Sequence, residues 1–261
     1  MRLSFLSSRI SLAGFLLGLA VSLTAILGVR LGYFDLAFGL ELMLPAIAIG
    51  AVGFVAGAIW LGHALKINDS KGWRYGAVGF FGSLLILIPP ANEEIRRLAH
   101  PALVDITTDS GTPPQFVALL PLRAGAENGP EYDGSRKIFY DGKETAAMTV
   151  EKQEYDLRPY RPLLPHANSP AKVVFWRAFE GAKHMGWHIV AYDEKAGTIE
   201  ATDTSLFFGM VDDIAVRVRP AGRLGARLDI RSKSRMGDAD GGSNAARIKS
   251  YIQYLQTLTG G

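Results

Sequence analysis

A chain of 261 residues and 28.3 kDa that is 48% hydrophobic, with a mean hydropathy of +0.14, is too apolar for one or two soluble domains and points to a membrane part. Residues 1–90 hold six Lys/Arg and three Asp/Glu, so of 28 bases and 25 acids the remaining 22 and 22 balance in residues 91–261, which excludes bulk nucleic-acid binding despite a pI near 9.1. Zero cysteines exclude disulfides, thiolate metal sites, a cysteine nucleophile and iron–sulfur clusters.

Residues 10–29 carry no charge and are bracketed by Arg9 and Arg30, a length that crosses a hydrocarbon core of about 30 Å as a helix. A signal peptide would share the basic start at Arg2 and Arg9, but this apolar stretch is longer than such peptides use and ends in no small-x-small site. Second and third spans are expected at about 42–62 and 75–90, the third ended by Pro89 and Pro90. Arg2, Arg9, Lys66, Lys71 and Arg74 lie on one side of these spans and only Arg30 on the other, which predicts a cytoplasmic N-terminus. An odd number of spans then carries the remainder across, into the periplasm for an inner (cytoplasmic) membrane protein. No Asp, Glu, Lys, Arg or His lies within the spans, which argues against a pump or transporter. Gly14/Gly18 and Gly53/Gly57, with Ala46 and Gly50, form small-residue stripes that suit close packing of these helices on one another or, alternatively, a dimer interface or another partner in the membrane.

Residues 91–168 read as a juxtamembrane turn or short helix at 91–100, an extended piece at 105–114, and a long irregular segment from 121. That segment is expected to wrap the domain surface, anchored by Tyr140, Tyr155 and Tyr160, with disorder near 128–134. Residues 169–261 are regular. Ser169-Pro170 predicts a helix start, with Val173, Val174, Trp176 and Phe179 as its apolar stripe and Gly186 beyond its end. Strands are expected at 187–192 and 198–202, then at 213–219 and 226–235, and a closing helix at about 243–257. The fold class is α+β: three N-terminal transmembrane helices, then an antiparallel sheet of four or more strands with helices packed on one face.

Period-two alternation buries Ile214, Val216, Val218, Leu228 and Ile230 and turns Arg217, Arg219, Arg227, Arg231, Lys233 and Arg235 to the other face, with Asp229 opposite Arg217 or a neighbour. Seven bases and one acid lie between 217 and 235. Two readings stay open: a solvated face neutralised by Asp212, Asp213, Asp238 or Asp240, and a docking surface for an anion such as a lipid headgroup, phosphate or acidic envelope polymer. Ser232 and Ser234 fall on the buried side and need partners, with Asp238, Asp240, Asn244 and Arg247 nearest in sequence. The turn before the last helix is either a satisfied cap or an anion nest. Asp212 and Asp213 point to opposite faces and cannot form a dyad. His184 and His188 straddle Gly186, a poor metal pair, and no nucleophile elbow or phosphate loop is present. Trp176 and Trp187 are expected in the core.

The residues TSLFFG (204–209), Asp212-Asp213 with Arg217 and Arg219, DIRSKSRMGD (229–238), and Asn244 with Arg247 and Ile248 resemble the domain-of-unknown-function 1499 family. Asp105-Ile-Thr-Thr-Asp109, Pro113-Pro114 and Gln153/Tyr155 resemble its first half, so the likeness spans roughly residues 100–258. Glu127–Glu154 looks like an acidic insert, and Asp240-Gly-Gly-Ser replaces a tighter turn. The resemblance implies an envelope or organelle-membrane setting and supplies no reaction. It directs interest to Asp213, Arg217, Arg231, Ser232, Arg235 and Asn244 as a polar cluster. Together these readings give candidate ligand-binding residues Asp213, Arg217, Arg219, Arg231, Ser232, Ser234, Arg235, Asn244 and Arg247, with no catalytic set, metal or cofactor. The expected partners are the bilayer, an anionic lipid or envelope polymer, or another membrane protein.

Overall fold

The computed structural model describes residues 2–67, 72–100, 103–132, 138–140, 143–145, 169–222 and 225–258. Tyr155 and Tyr160, expected as anchors, lie outside the described residues. The chain divides into two compact units, residues 1–95 with 206–209 and residues 96–205 with 210–261.

The first unit is three helices, each long and apolar enough to cross a membrane: α1 (Arg2–Arg30), α2 (Leu36–Ile67) and α3 (Trp73–Ala99). Asp35 starts α2 as a side-chain cap, its Oδ1 accepting from Phe38 N at 2.7 Å. The stripe glycines make close contacts within this unit. A Cβ on Gly14 would lie 2.6 Å from Gly53 Cα, one on Gly18 3.1 Å from Ala46 O, and one on Gly57 2.7 Å from Ser11 Oγ. Pro89 and Pro90 do not end α3, which runs on to Ala99. Two adjacent prolines forfeit only the bonds to the turn before them, and their fixed φ suits the first turn of the helix-favouring run ANEEIRRLA on their C-terminal side.

The second unit is an antiparallel sheet of five strands in the order β1-β7-β6-β5-β4. Its strands are β1 (Asp105–Thr107), β4 (His188–Asp193), β5 (Thr198–Thr204), β6 (Val211–Ala221) and β7 (Gly225–Ser234). A separate two-stranded ladder pairs β2 (Ile138–Tyr140) with β3 (Lys143–Thr145). Helices α4 (Ala171–His184) and α5 (Ser243–Thr257) supply the rest of one core. That core holds Ile214, Val216, Val218, Leu228 and Ile230, the inner face expected from the alternation, against Phe175, Trp187, Ile248, Tyr251 and Ile252. Tyr251 is fully buried, its hydroxyl donates to Ala178 O at 2.7 Å, and burial holds its phenol far above the ordinary range.

Two details of α4 depart from expectation. The helix starts at Ala171 with Pro170, not Ser169, at the cap position and no side-chain cap bond. Its buried face is Val174, Phe175, Ala178, Gly181 and Ala182, so Val173 and Trp176 are exposed. Small residues line that face because Tyr251 and Leu255 press on Gly181, where a Cβ would come within 3.0 Å of both side chains. Trp176 instead packs edge-on to Phe175, Phe179 and Tyr192 and donates Nε1 to Glu194. Trp187 lies in the core as expected.

Candidate functional site

The face of the sheet opposite α4 and α5 is ruled in rows by strand register. One row runs Asp105–Lys233–Asp213–Thr202, the next Thr107–Arg231–Ala215–Glu200, and a third Asp229–Arg217–Thr198. Asp229 faces Arg217 directly, as the hairpin pairing predicts. Acids and bases alternate across the strands, so each carboxylate meets guanidinium groups from more than one side.

Arg231 forks onto Asp105, its Nε donating to Oδ1 at 2.9 Å and its Nη2 to Oδ2 at 2.8 Å, with Lys233 Nζ 3.3 Å from the same carboxylate. Asp213 accepts from Arg123 Nη1 and from Arg235, whose Nε and Nη2 lie at 2.9 and 2.7 Å. Burial lowers the pKa of the Arg123 guanidinium, Asp213 opposes that, and Arg235 and Arg231 add repulsion. Asp229 gathers Arg227 Nε at 2.9 Å, Arg219 Nη2 at 2.9 Å and Arg217 Nη2 at 3.2 Å. Asp109 Oδ2 receives the same three residues at 3.1 to 3.2 Å. Among the described residues seven cations thus share four aspartates on this face.

Both readings of the sequence leave this face open, and over its centre it is covered. Residues 113–132 lie across it, with Phe116 and Leu119 buried against Ala215. The segment is held by charge rather than by regular structure. Glu200, standing up from β5, accepts the amides of Val117, Ala118 and Leu119 at 2.9 to 3.0 Å, doing the work of a capped helix start in a loop. Arg231 donates to Pro130 O and Glu131 O and stacks under Phe116 at 4.6 Å, while Lys233 donates to Glu131 O at 2.6 Å. The part of the expected disorder that falls on 128–132 is ordered by such bonds, Asn128 N donating to Arg235 O at 3.0 Å. Arg231 and Lys233 are consequently 0% exposed, whereas Arg219 and Arg227 are 41% and 40% exposed.

The other candidates gather at the turn into α5, on the core side of β7. Ser232 Oγ donates to Asn244 Oδ1 at 2.6 Å, Asn244 Nδ2 donates to Ser234 Oγ at 2.9 Å, and Arg247 Nη1 reaches Ser232 Oγ at 3.0 Å. Arg247 also binds Asp203 and Asp212 at 2.8 and 2.6 Å. Asp240 takes the amides of Gly242 and Asn244, and burial, reinforced by the charge of Asp212, holds its carboxyl above the ordinary value against those two bonds. Asp213, Arg217, Arg219, Arg231 and Arg235 therefore belong to one assembly, and Ser232, Ser234, Asn244 and Arg247 to another on the reverse of the strand. Among the described residues no group of three or more His, Asp or Glu is arranged to hold a metal ion. His184 stacks on Tyr254 at 3.8 Å between ring centres.

Sequence reasoning missed Arg123, Glu200 and Phe116 and did not assign Asp105 and Asp109 as partners of the arginines. Their partners on the sheet lie 80 or more positions away along the chain, as with Arg123 and Asp213, and no local period marks them.

Asp109 gives an acid-sensitive element. Burial works to raise its carboxyl, and the Thr112 amide and hydroxyl with the Arg227 and Arg217 charges outweigh it, so the folded value lies below the ordinary 3.8. A depressed folded pKa adds stability that is complete above the unfolded value and lost as pH falls through the folded one. Asp109→Asn is therefore expected to melt below the native protein at neutral pH and to converge with it in acid. Thermal melts of the two proteins across pH 2 to 7 check this, and parallel curves would refute it.

The sequence from 105 to 255 matches the family described as Protein of unknown function (DUF1499). No curated protein matches the chain. The matched stretch begins at the carboxylate that anchors Arg231 and ends in α5, so it takes in the whole charged face and its cover. More than half of the chain is included, and the chain belongs to this family of proteins of unknown function, its family domain following three helices long and apolar enough to span a membrane.

Proposed function

We propose that this protein is a membrane-anchored binding module in which α1–α3 fix the chain in a bilayer and the Arg217–Arg219–Arg227 end of the charged face takes an anionic group of an envelope component. The observation that carries the reading is three guanidiniums converging on two carboxylates, Asp109 and Asp229, with Arg219 and Arg227 open to solvent. Among the described residues these three cations exceed the two carboxylates by one charge, and planar forks suit phosphate or carboxylate. Arg231, Lys233 and Asp213 are sealed under the covering segment and act as its scaffold. The basic-residue count across the three spans supports a cytoplasmic N-terminus and a domain on the far side, the periplasm for an inner-membrane protein.

The position of the cluster favours an envelope polymer over a headgroup of the anchoring bilayer. The chain joins the sheet at β1, where Asp105 faces Lys233, while Arg219 and Arg227 face each other near the β6–β7 hairpin, Arg227 standing six residues before Lys233 on β7. The test is retention of polyphosphate and, separately, of phosphatidylglycerol vesicles by the full chain in phosphatidylcholine nanodiscs. Charge-assisted hydrogen bonds contribute about 1.5–3 kcal/mol each, so Arg219→Gln with Arg227→Gln should weaken polyphosphate binding by about tenfold or more with the fold intact. Unchanged retention by the double variant overturns the reading, and loss of vesicle retention alone moves it to a lipid.

A second reading, a structural or assembly partner of another membrane protein, is favoured by the exposed aromatics Trp176 and Tyr192 beside edge strand β4. A third reading, an unrecognised hydrolase, calls for a deep pocket lined by Asp213 or His188 with arginines; Asp213 is fully buried between two guanidiniums and His188 is exposed on edge strand β4, so neither supports it.

A further inference from the structure

Strands β5 and β6 are joined by the tip SLFFGM, residues 205–210. The tip is closed by its own bonds: Ser205 N donates to Met210 O at 2.8 Å, Met210 N donates to Ser205 Oγ at 2.9 Å, and Gly209 supplies a φ of +70°. Turns of this kind present polar side chains outward, as the β4–β5 turn does, where Asp193 Oδ1 caps the amides of Lys195 and Ala196. Here the order is inverted. Leu206 is 81% exposed, Phe207 49% and Met210 42%. A hydrogen-bonded tip holds these side chains outward, and an apolar patch fixed in that way marks an interaction surface.

Strand register and chain length indicate what it meets. Helix α3 ends at Ala99 and β1 begins at Asp105, so five residues, at most about 18 Å extended, separate the last apolar helix from the sheet. Asp105 pairs with Lys233, Ser234 with Asp212, and Arg235 N donates to Val211 O, the residue beside the tip's last position. The tip therefore opens at the end of the sheet where the chain arrives from α3. The polar β4–β5 turn lies toward the other end of β6, beside Arg217 and Val218, roughly 20–25 Å away.

We propose that residues 206–210 are a membrane-contact tip that seats Leu206, Phe207 and Met210 at the boundary between headgroups and acyl chains of the bilayer the chain itself spans. An irregular loop exposes backbone groups that hydrocarbon cannot satisfy, which sets this shallow depth. The tip goes beyond the anion-binding reading and stands without it, since Arg219 and Arg227 occupy the opposite end of the sheet.

The absence of cysteine makes single-site labelling direct. Leu206→Cys, Phe207→Cys and, as the far-end control, Lys195→Cys are each labelled with a nitrobenzoxadiazole probe in the full chain. Each is reconstituted in phosphatidylcholine vesicles with or without brominated acyl chains. The expected result is about twofold or greater dimming by brominated lipid at 206 and 207, with none at 195, together with protection of 206 and 207 from aqueous iodide. Iodide quenching at 206 and 207 equal to that at 195 overturns the proposal. Protection from iodide without dimming by brominated lipid also overturns it, because the tip is then covered by protein.

Discussion

Asp105→Ala is expected to cost the folded domain about 3–5 kcal/mol, because it leaves the buried Arg231 and Lys233 without the carboxylate they share. The carbonyls of Pro130 and Glu131 still accept from these cations, but a neutral dipole does not replace a full charge in a water-free site. Asp105→Asn keeps an acceptor in place and should cost less than alanine. Replacing all three residues by apolar ones of similar size, Asp105→Leu with Arg231→Met and Lys233→Leu, should recover most of the loss, since desolvating the ions offsets much of their attraction. Chemical denaturation of variants in which Trp60, Trp73 and Trp176 are replaced by Phe, followed by the emission of the core residue Trp187, measures all of these. A loss under about 1 kcal/mol for Asp105→Ala is the range of a solvated surface pair and would show that the covering segment is open in solution.

The charged face and its cover show where the sequence was legible. Alternation along β6 and β7 carries its information locally: each residue's face follows from its neighbours two positions away, so Ile214, Val216, Val218, Leu228 and Ile230 in the core, and Arg217 facing Asp229, could be read directly. The cover could not, because residues 113–132 have no period of their own. Their order is imposed by Glu200 reaching three successive amides and by Arg231 reaching two carbonyls about 100 positions away. Helix α4 misled for a different reason. Hydrophobicity ranks Val173 and Trp176 above Ala178 and Ala182, but the space beside Tyr251 and Leu255 admits only small side chains, and that close fit decides which face turns inward. Proline misled at α3 because the helix-favouring residues after Pro90 let the helix resume within a turn.

In the membrane unit the largest effect is expected from Gly79→Leu. A Cβ at this position would lie 2.4 Å from the Ser11 carbonyl carbon and 2.5 Å from Leu12 N, so it meets the backbone of α1, and no rotamer change relieves it. Helices in a bilayer are held together by van der Waals contact and not by expulsion of water, so displacing α1 from α3 removes the attraction itself. The expected loss is in the upper part of the roughly 1–3 kcal/mol typical of overpacking, measured by titrating the detergent-solubilised chain with dodecyl sulfate and following its helix content. Gly62→Leu is the control, since a Cβ there meets nothing within 4 Å, and it should be close to neutral. Equal midpoints for the two variants would show that α1 and α3 are apart. The stripes at Gly14, Gly53 and Gly57 face the same interior, so leucine at Gly53 also strains the bundle, and loss of a bound protein in that variant would report a damaged anchor. A partner is better sought with Trp176→Ala and Tyr192→Ala, which alter exposed side chains and leave the helix contacts untouched.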